Sequence, residues 1–307
     1  MEFIKGYNWN IDIFQSKDVK IKNKIGAGGF GTVFRGTLNN KEIICKNMYV
    51  SEYDSILDLF ENAEQEIYNY TKLKGCNQCC KLIGLSWNDE TESLSLLLKD
   101  YKVIGDLHDY INESRFWTKY SNENYSKNFY TSEWDDGVWI YHMIKNKKIG
   151  ITLSLCDALE ELHGRDVVHC DLKTNNTIYS EKDNKIILID FNASTFMNQE
   201  NYERISRNCG TVGYTCKTLN GGVCHKKVDI YSLAICILEV WCGSIWDGSD
   251  DHRGCRLEVL KYMRILEKKG HLEKQLGKVL REAINCKLDK RPYIKTFKKK
   301  ITTILTE

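Results

Sequence analysis

A long uninterrupted apolar run is missing from this chain. The most apolar stretch, from Ile230 to Trp241, is broken by Ser232 and Glu239 and is too short for a bilayer, so no membrane span is expected. Net charge is nearly missing too. The 44 basic and 42 acidic residues leave +2, and no global field points to nucleic acid or an anionic membrane as partner. The run Lys298-Lys299-Lys300 reads as a solvated helix face. The segment Met1-Glu2-Phe3-Ile4-Lys5 has no basic start, apolar core or small-residue cleavage site, which argues against a secretory signal. Only 1 proline occurs, beside abundant Asn, Lys and Ile; this hints at AT-rich coding and says nothing of function.

Regular cysteine spacing is also lacking. The 13 cysteines are odd in number and scattered, which fits reduced thiols in the cytoplasm or another intracellular compartment better than a disulfide scaffold. Cys76-Asn77-Gln78-Cys79-Cys80 has no second Cys or His pair nearby at ligand spacing, so packing is expected there rather than zinc binding. What is present is core material. With 42% hydrophobic and 28% charged residues, 307 residues suffice for one bilobal unit or two small domains.

The densest chemistry lies in His169-Cys170-Asp171-Leu172-Lys173-Thr174-Asn175-Asn176, followed after the apolar run Ile186-Ile187-Leu188-Ile189 by Asp190-Phe191-Asn192. Asp, Asn and Lys also populate solvated turns. Phosphoryl transfer, however, asks for this particular set: a carboxylate near the acceptor hydroxyl, a lysine near the transferred group, and an Asn and a second Asp for magnesium. Upstream, Ile25-Gly26-Ala27-Gly28-Gly29-Phe30-Gly31-Thr32-Val33 lies between strand-like stretches and reads as a hairpin tip whose backbone amides can approach phosphates. A strand follows these glycines, whereas a dinucleotide-binding fold would place a helix there.

These motifs, in this order, resemble the eukaryotic-type protein kinase family, serine/threonine-specific, as a divergent member; the family signatures read His-Arg-Asp-Leu-Lys-x-x-Asn and Asp-Phe-Gly. Cys170 stands for the Arg and Asn192 for the Gly. The resemblance implies an α+β, bilobal fold: a small β-rich N-lobe with one main helix and a large, mostly helical C-lobe. It covers about Val19 to Thr303 and implies an N-terminal extension over 1–18 and a kinase domain over 19–307. Within that domain the N-lobe is 19–99, the hinge 100–104 and the C-lobe 105–307, with an aromatic-rich insert at 114–139.

By the same resemblance the cofactors are ATP and Mg²⁺, with Mn²⁺ as a substitute. Lys46, ending the strand Glu42 to Lys46, would contact the α- and β-phosphates, with Glu64 as its ion-pair partner and Glu66 the runner-up. Ile25, Gly26, Gly28, Phe30, Gly31, Val33, Ile44, Asp100, Tyr101, Asp106 and Ile178 would line the nucleotide site, Asp106 at a ribose- or substrate-binding position. Asn176 and Asp190 would bind the metal, and Asp171 and Lys173 would be catalytic. Lys99 falls at the position behind the adenine, where a charge is costly unless paired; a register slip of one residue is the alternative.

Gly210-Thr211-Val212-Gly213-Tyr214 resembles the serine/threonine form Gly-Thr-x-x-Tyr, in which the Thr hydroxyl braces the catalytic Asp and Lys. Cys216-Lys217-Thr218 replaces the family's Ala-Pro-Glu, so Arg291, the usual partner of that Glu, needs another partner or a looser segment. Asp229 is expected to hold the catalytic-loop backbone from a helix buried on all sides. The insert carries Phe116, Trp117, Tyr120, Tyr125, Phe129, Tyr130, Trp134 and Trp139; packing against the large lobe is expected, with a docking partner as the alternative. The expected activity is Mg-ATP-dependent transfer to Ser/Thr hydroxyls of a protein substrate. A pseudokinase or ATP-binding scaffold is the rival reading, and a small-molecule kinase of related fold a third.

Overall fold

The computed structural model describes residues 10–28, 31–113, 117–120, 133–134, 137–141, 143–197, 203–204, 210–215, 223–243, 252–270, 272–285 and 287–307. For 117–120, 133–134, 137–141, 203–204, 223–224 and 252–255 only the backbone is considered. The chain divides into two compact units, Met1–Val103 with Asp190–Ser194, and Ile104–Ile189 with Thr195–Glu307.

The first unit is a six-stranded sheet of β1 (Ile13–Gln15), β2 (Val19–Gly28), β3 (Gly31–Leu38), β4 (Lys41–Tyr49), β5 (Leu82–Asn88) and β6 (Ser93–Lys99), ordered β1-β5-β6-β4-β3-β2. Only β1, which precedes residue 19, pairs in parallel, with β5; the other neighbours are antiparallel. Side chains alternate across a strand, so each pairing register sorts residues onto two faces. Ile43, Cys45 and Leu97 share one face and pack with Leu38, Phe14, Val19, Phe34 and Ile83. Val33, Lys46 and Leu96 share the other, with Ile44 opposite Leu98. Both faces of β6 are buried, which explains its unbroken apolar run from Leu96 to Leu98.

Helix α1 (Ile56–Lys72) starts where the Ser55 hydroxyl accepts the Asp58 amide at 3.2 Å. Its buried face is Leu59, Phe60, Ala63, Glu66, Ile67, Asn69 and Tyr70, and Phe60 meets Trp87 of β5 with ring centroids 5.7 Å apart. Ile56 and Leu57, in the first turn, are exposed.

The second unit carries α2 (Leu107–Ile111), a three-stranded sheet β7 (Trp117–Tyr120), β8 (Glu133–Trp134) and β9 (Gly137–Tyr141), and α3 (Lys145–His163). Short pairs follow: β10 (Val167–Val168) with β13 (Thr195–Phe196), β11 (Thr177–Ser180) with β12 (Lys185–Leu188), and β14 (Glu203–Arg204) with β15 (Val223–Cys224). Helices α4 (Lys227–Cys242), α5 (His252–Lys268), α6 (Lys274–Ala283) and α7 (Ile294–Thr306) complete it. Every residue of α4 from Val228 to Cys242 is buried, as its apolar composition on all sides requires. No helix among the described residues is long and apolar enough to cross a membrane.

Cys76, Cys79 and Cys80 are buried, and burial pushes the Cys80 thiol up to about 12. Phe116, Tyr125, Phe129 and Tyr130 of the insert lie outside the described residues, as do the side chains of Trp117, Tyr120, Trp134 and Trp139. The choice between packing and docking therefore falls outside them too.

Candidate active site

In the first unit the central group is Lys46. Strand β4 buries its stem on the face shared with Val33 and Leu96, and its amine donates to both carboxylate oxygens of Glu66, at 3.0 and 2.9 Å, and to Asp190 Oδ1 at 2.7 Å. Burial alone would push the Lys46 amine down; the carboxylates of Glu66 and Asp190 outweigh it and hold it above its ordinary value. Glu66 itself is raised by burial, with Lys46 opposing.

The expected partner Glu64 is corrected here: its side chain is exposed, and Glu66 makes the pair. Leu59, Ala63, Glu66 and Tyr70 follow the four-three-four spacing of one helix face, so Glu66 is aimed inward and Glu64 is not.

Lys99 is corrected as well. It pairs with Ile43, on the face opposite Lys46; it is exposed, and its amine lies 4.9 Å from the centre of the Tyr101 ring. The residue sharing the Ile44 side is Leu98, buried and apolar, so the one-residue slip is the correct register.

The glycine loop separates two kinds of glycine. Gly31 has φ +121° and a Cβ there would sit 2.4 Å from the Asn47 carbonyl oxygen, so the fold itself requires glycine. Among the described residues, a Cβ at Gly26 or Gly28 would meet nothing within 4 Å. None of the described residues forbids a side chain at these two positions, and the bare backbone leaves room for a ligand to approach the amides. Ile25 is exposed, Val33 and Ile44 are half-buried, and Phe30 lies outside the described residues.

Asp100 and Tyr101 are engaged in shaping their own segment. The Asp100 carboxylate accepts the Lys102 amide at 2.7 Å, and the Tyr101 hydroxyl donates to the Cys79 carbonyl at 3.4 Å. Arg35 of β3 donates to the Val103 carbonyl at 2.5 Å. What this segment has left to offer a ligand is mainly backbone.

Asp190 has φ 61°, a left-handed conformation that costs a non-glycine residue about 1 kcal/mol. Asn192, where the family has Gly, is not among the residues with positive φ, so replacing that glycine imposes no backbone strain here.

In the second unit the segment after β10 carries Asp171, Lys173 and Asn176. Asp229 of α4 accepts the backbone amides of His169 and Cys170 at 2.8 and 3.0 Å and lies 2.8 Å from His163 Nε2. The expected anchor is therefore observed. Thr211 donates to Asp171 Oδ1 at 2.7 Å and accepts from the Lys173 amine at 2.7 Å, while Lys173 also lies 3.1 Å from Asp171 Oδ2. The Asn176 amide nitrogen donates to the Asp171 carbonyl and to Asp171 Oδ2, both at 2.9 Å. That nitrogen is occupied, and the amide oxygen is the atom Asn176 has to offer a hard cation.

Asp106 caps α2 by accepting the Asp109 amide at 2.8 Å, and Asn175 donates to its other oxygen at 3.1 Å; burial raises its carboxyl. Ile178 pairs with Ile187 in the β11–β12 hairpin and is half-buried.

Two buried features complete this half. The Thr174 hydroxyl lies 3.0 Å from the Tyr214 hydroxyl and donates to Glu239 Oε2 at 3.0 Å, and Tyr214 donates to the same oxygen at 2.5 Å. This tie between the segments of Lys173 and Thr211 escaped the sequence reading, because a Thr and a Glu so far apart carry no spacing signal. Arg291, buried, donates to the carbonyls of Asn285 and Lys227 at 2.7 and 3.0 Å and lies 5.1 Å from the Tyr231 ring centre. These are the other partners its position demands. Cys216-Lys217-Thr218 lies outside the described residues.

The sheet-and-one-helix unit, the helical unit and the two sets of polar side chains define a kinase-type protein. The family model of the protein kinase domain matches residues 19–301, and the chain belongs to that family. Among its relatives, a probable serine/threonine-protein kinase of Dictyostelium discoideum is 28% identical over 219 residues, 70% of this chain and 20% of the relative. The probable serine/threonine-protein kinase 2 of Plasmodium falciparum is 26% identical over 233 residues, 74% of this chain and 38% of the relative. A probable L-type lectin-domain containing receptor kinase of Arabidopsis thaliana is 26% identical over 242 residues, 77% of this chain and 31% of the relative. The matched stretch thus spans between a fifth and about two fifths of these relatives' own lengths.

Proposed function

We propose that this protein kinase is catalytically active and transfers the γ-phosphate of Mg-ATP to Ser or Thr hydroxyls of a protein substrate. The observation that carries this reading is Thr211, whose hydroxyl touches both Asp171 and Lys173 at 2.7 Å. A carboxylate held beside an ammonium group by a fixed hydroxyl is equipped to orient an acceptor hydroxyl and neutralise a transferred phosphoryl group.

The nucleotide is a fit for the first unit. Bare backbone at Gly26 and Gly28, a fixed cation at Lys46, and an Asp190 side chain one-third exposed supply amides, positive charge and an oxygen ligand. Lys46, set by Glu66, would hold the α- and β-phosphates, and Asp190 and Asn176 each offer an oxygen that would bind magnesium. When bound, the metal neutralises charge building on the phosphates. Asp171 orients or accepts the proton of the acceptor hydroxyl, and Lys173 stabilises the γ-phosphate.

Cys170 occupies the place of the Arg that would anchor a phosphorylated activation segment, so activity needs no such phosphorylation. The intracellular site suggested by the free thiols and the identity of the substrate belong to the same proposal. Labelled ATP with a mixed protein acceptor, followed by acid hydrolysis, tests the acceptor class. Label on phosphoserine or phosphothreonine, undiminished by prior phosphatase treatment of the enzyme, is expected. Label on phosphotyrosine, or transfer abolished by phosphatase, would contradict the reading.

A further inference from the structure

Asn69 is fully buried on the face of α1 that also carries Glu66, three residues earlier. A primary amide in such a place is costly unless its groups are paired. Its nitrogen donates to the Phe191 carbonyl at 2.9 Å and to the Ser194 carbonyl at 2.8 Å. Both carbonyls belong to Asp190–Ser194, the short segment that packs with the first unit although its sequence neighbours on either side belong to the second.

Several contacts hold that segment, among them a long one from the Gln65 amide to the Ser194 carbonyl at 3.5 Å. Lys46 bridges Asp190, Tyr70 packs its ring edge-on against buried Phe191 at 5.3 Å, and Asn69 fixes two backbone carbonyls. The Ser194 amide also returns to the Phe191 carbonyl at 3.1 Å, closing the turn that Asn69 braces. The Lys46 contact involves a residue assigned to the phosphates, and the Tyr70 contact has no polar direction. Gln65 reaches only the Ser194 carbonyl, whereas Asn69 grips the backbone on both sides of Asn192 and so can keep Asp190 in its left-handed conformation.

We propose that Asn69 is a positioning residue that locks the Asp190 loop for metal binding, and does so before nucleotide arrives. The magnesium part rests on the active-site reading above; the locking does not. Glu66 and Asn69, one helical turn apart, then let a single helix set both the phosphate-binding lysine and the metal-binding loop.

The test uses the full chain and the variant Asn69→Leu, of similar size but without a donor, with Asn69→Ser, too short to reach both carbonyls, as the second variant should the first not fold. Hydrogen exchange of the peptide spanning Asp190–Ser194 is measured without nucleotide, and affinity for a fluorescent ATP analogue is measured with and without Mg²⁺. Faster exchange in that peptide is expected, with the β11–β12 hairpin unchanged. The magnesium-dependent gain in affinity should fall about tenfold, the worth of two lost hydrogen bonds, while metal-free affinity holds. A folded variant with wild-type exchange and wild-type magnesium gain overturns the proposal. Failure of the activity reading looks different: wild-type protein that shows the magnesium gain but no phosphate transfer.

Discussion

Glu66 grips Lys46 with both carboxylate oxygens, and both side chains are buried. Breaking a buried pair by neutralising one member leaves the other charge uncompensated, at about 3 kcal/mol. Asp190 still faces Lys46, which limits the loss. Glu66→Gln is therefore expected to lower unfolding free energy by about 2 kcal/mol and weaken ATP binding, whereas exposed Glu64→Gln stays within about 0.5 kcal/mol of wild type. Urea unfolding of the two variants side by side checks the assignment; equal losses would contradict it.

Thr211 gives a sharper readout of the chemistry. Thr211→Val keeps the shape but removes the hydroxyl that links Asp171 to Lys173. Transfer should fall about a hundredfold, the scale of a misplaced reacting group, with ATP affinity unchanged. Thr211→Ser should restore most of the rate. Steady-state kinetics that show the loss in KM for ATP instead of kcat would speak against this role.

Tyr70 makes a prediction of unusual sign. Its hydroxyl is buried and has no hydrogen-bond partner among the described residues, while its ring packs on Phe191. Removing an unpaired buried hydroxyl removes a desolvation cost. Tyr70→Phe should leave stability unchanged or raise it by about 1 kcal/mol, measured by thermal or urea unfolding. A loss of that size would mean the hydroxyl has a partner.

His225 carries the pH dependence. Burial first, then the nearby side chains Lys227, His163, Lys226 and Arg291, hold its imidazole below its ordinary value near 6.5. Its Nδ1 accepts the Lys227 amide at 3.0 Å at the start of α4. Between the folded value and 6.5 the unfolded chain holds a proton that the folded chain does not, so stability rises with pH across that window. The contribution is fully present above about 6.5 and is lost as acid carries the pH through the folded value. His225→Asn keeps an acceptor for Lys227 but does not titrate. Its stability curve should be flatter below pH 6.5 than that of wild type; parallel curves would reject the assignment.

How much of this was legible in the sequence follows from which signals are local. The order from Gly26 through Lys46, Asp171 and Asn176 to Asp190 is linear information, and it carried the fold class and most of the candidate residues. The phase of α1 is not linear information. Glu64 and Glu66 both lie between Ala63 and Ile67 in the sequence, and only the phase that buries Leu59, Ala63 and Tyr70 turns Glu66 inward. Lys99 failed by one residue, and in a strand one residue is a change of face. Asn69 was visible as an amide inside an apolar stripe, but its partners lie more than a hundred residues away and only the fold brings them close.

The central claim is that the groups around Asp171 and Lys46 perform phosphoryl transfer. The most direct measurement is incorporation of labelled γ-phosphate from Mg-ATP into a generic protein acceptor by wild type, Lys46→Ala and Asp171→Asn. Transfer by wild type that drops to background in both variants is the expected result. Wild-type protein that binds Mg-ATP and transfers nothing would contradict the claim and leave a nucleotide-binding scaffold in its place.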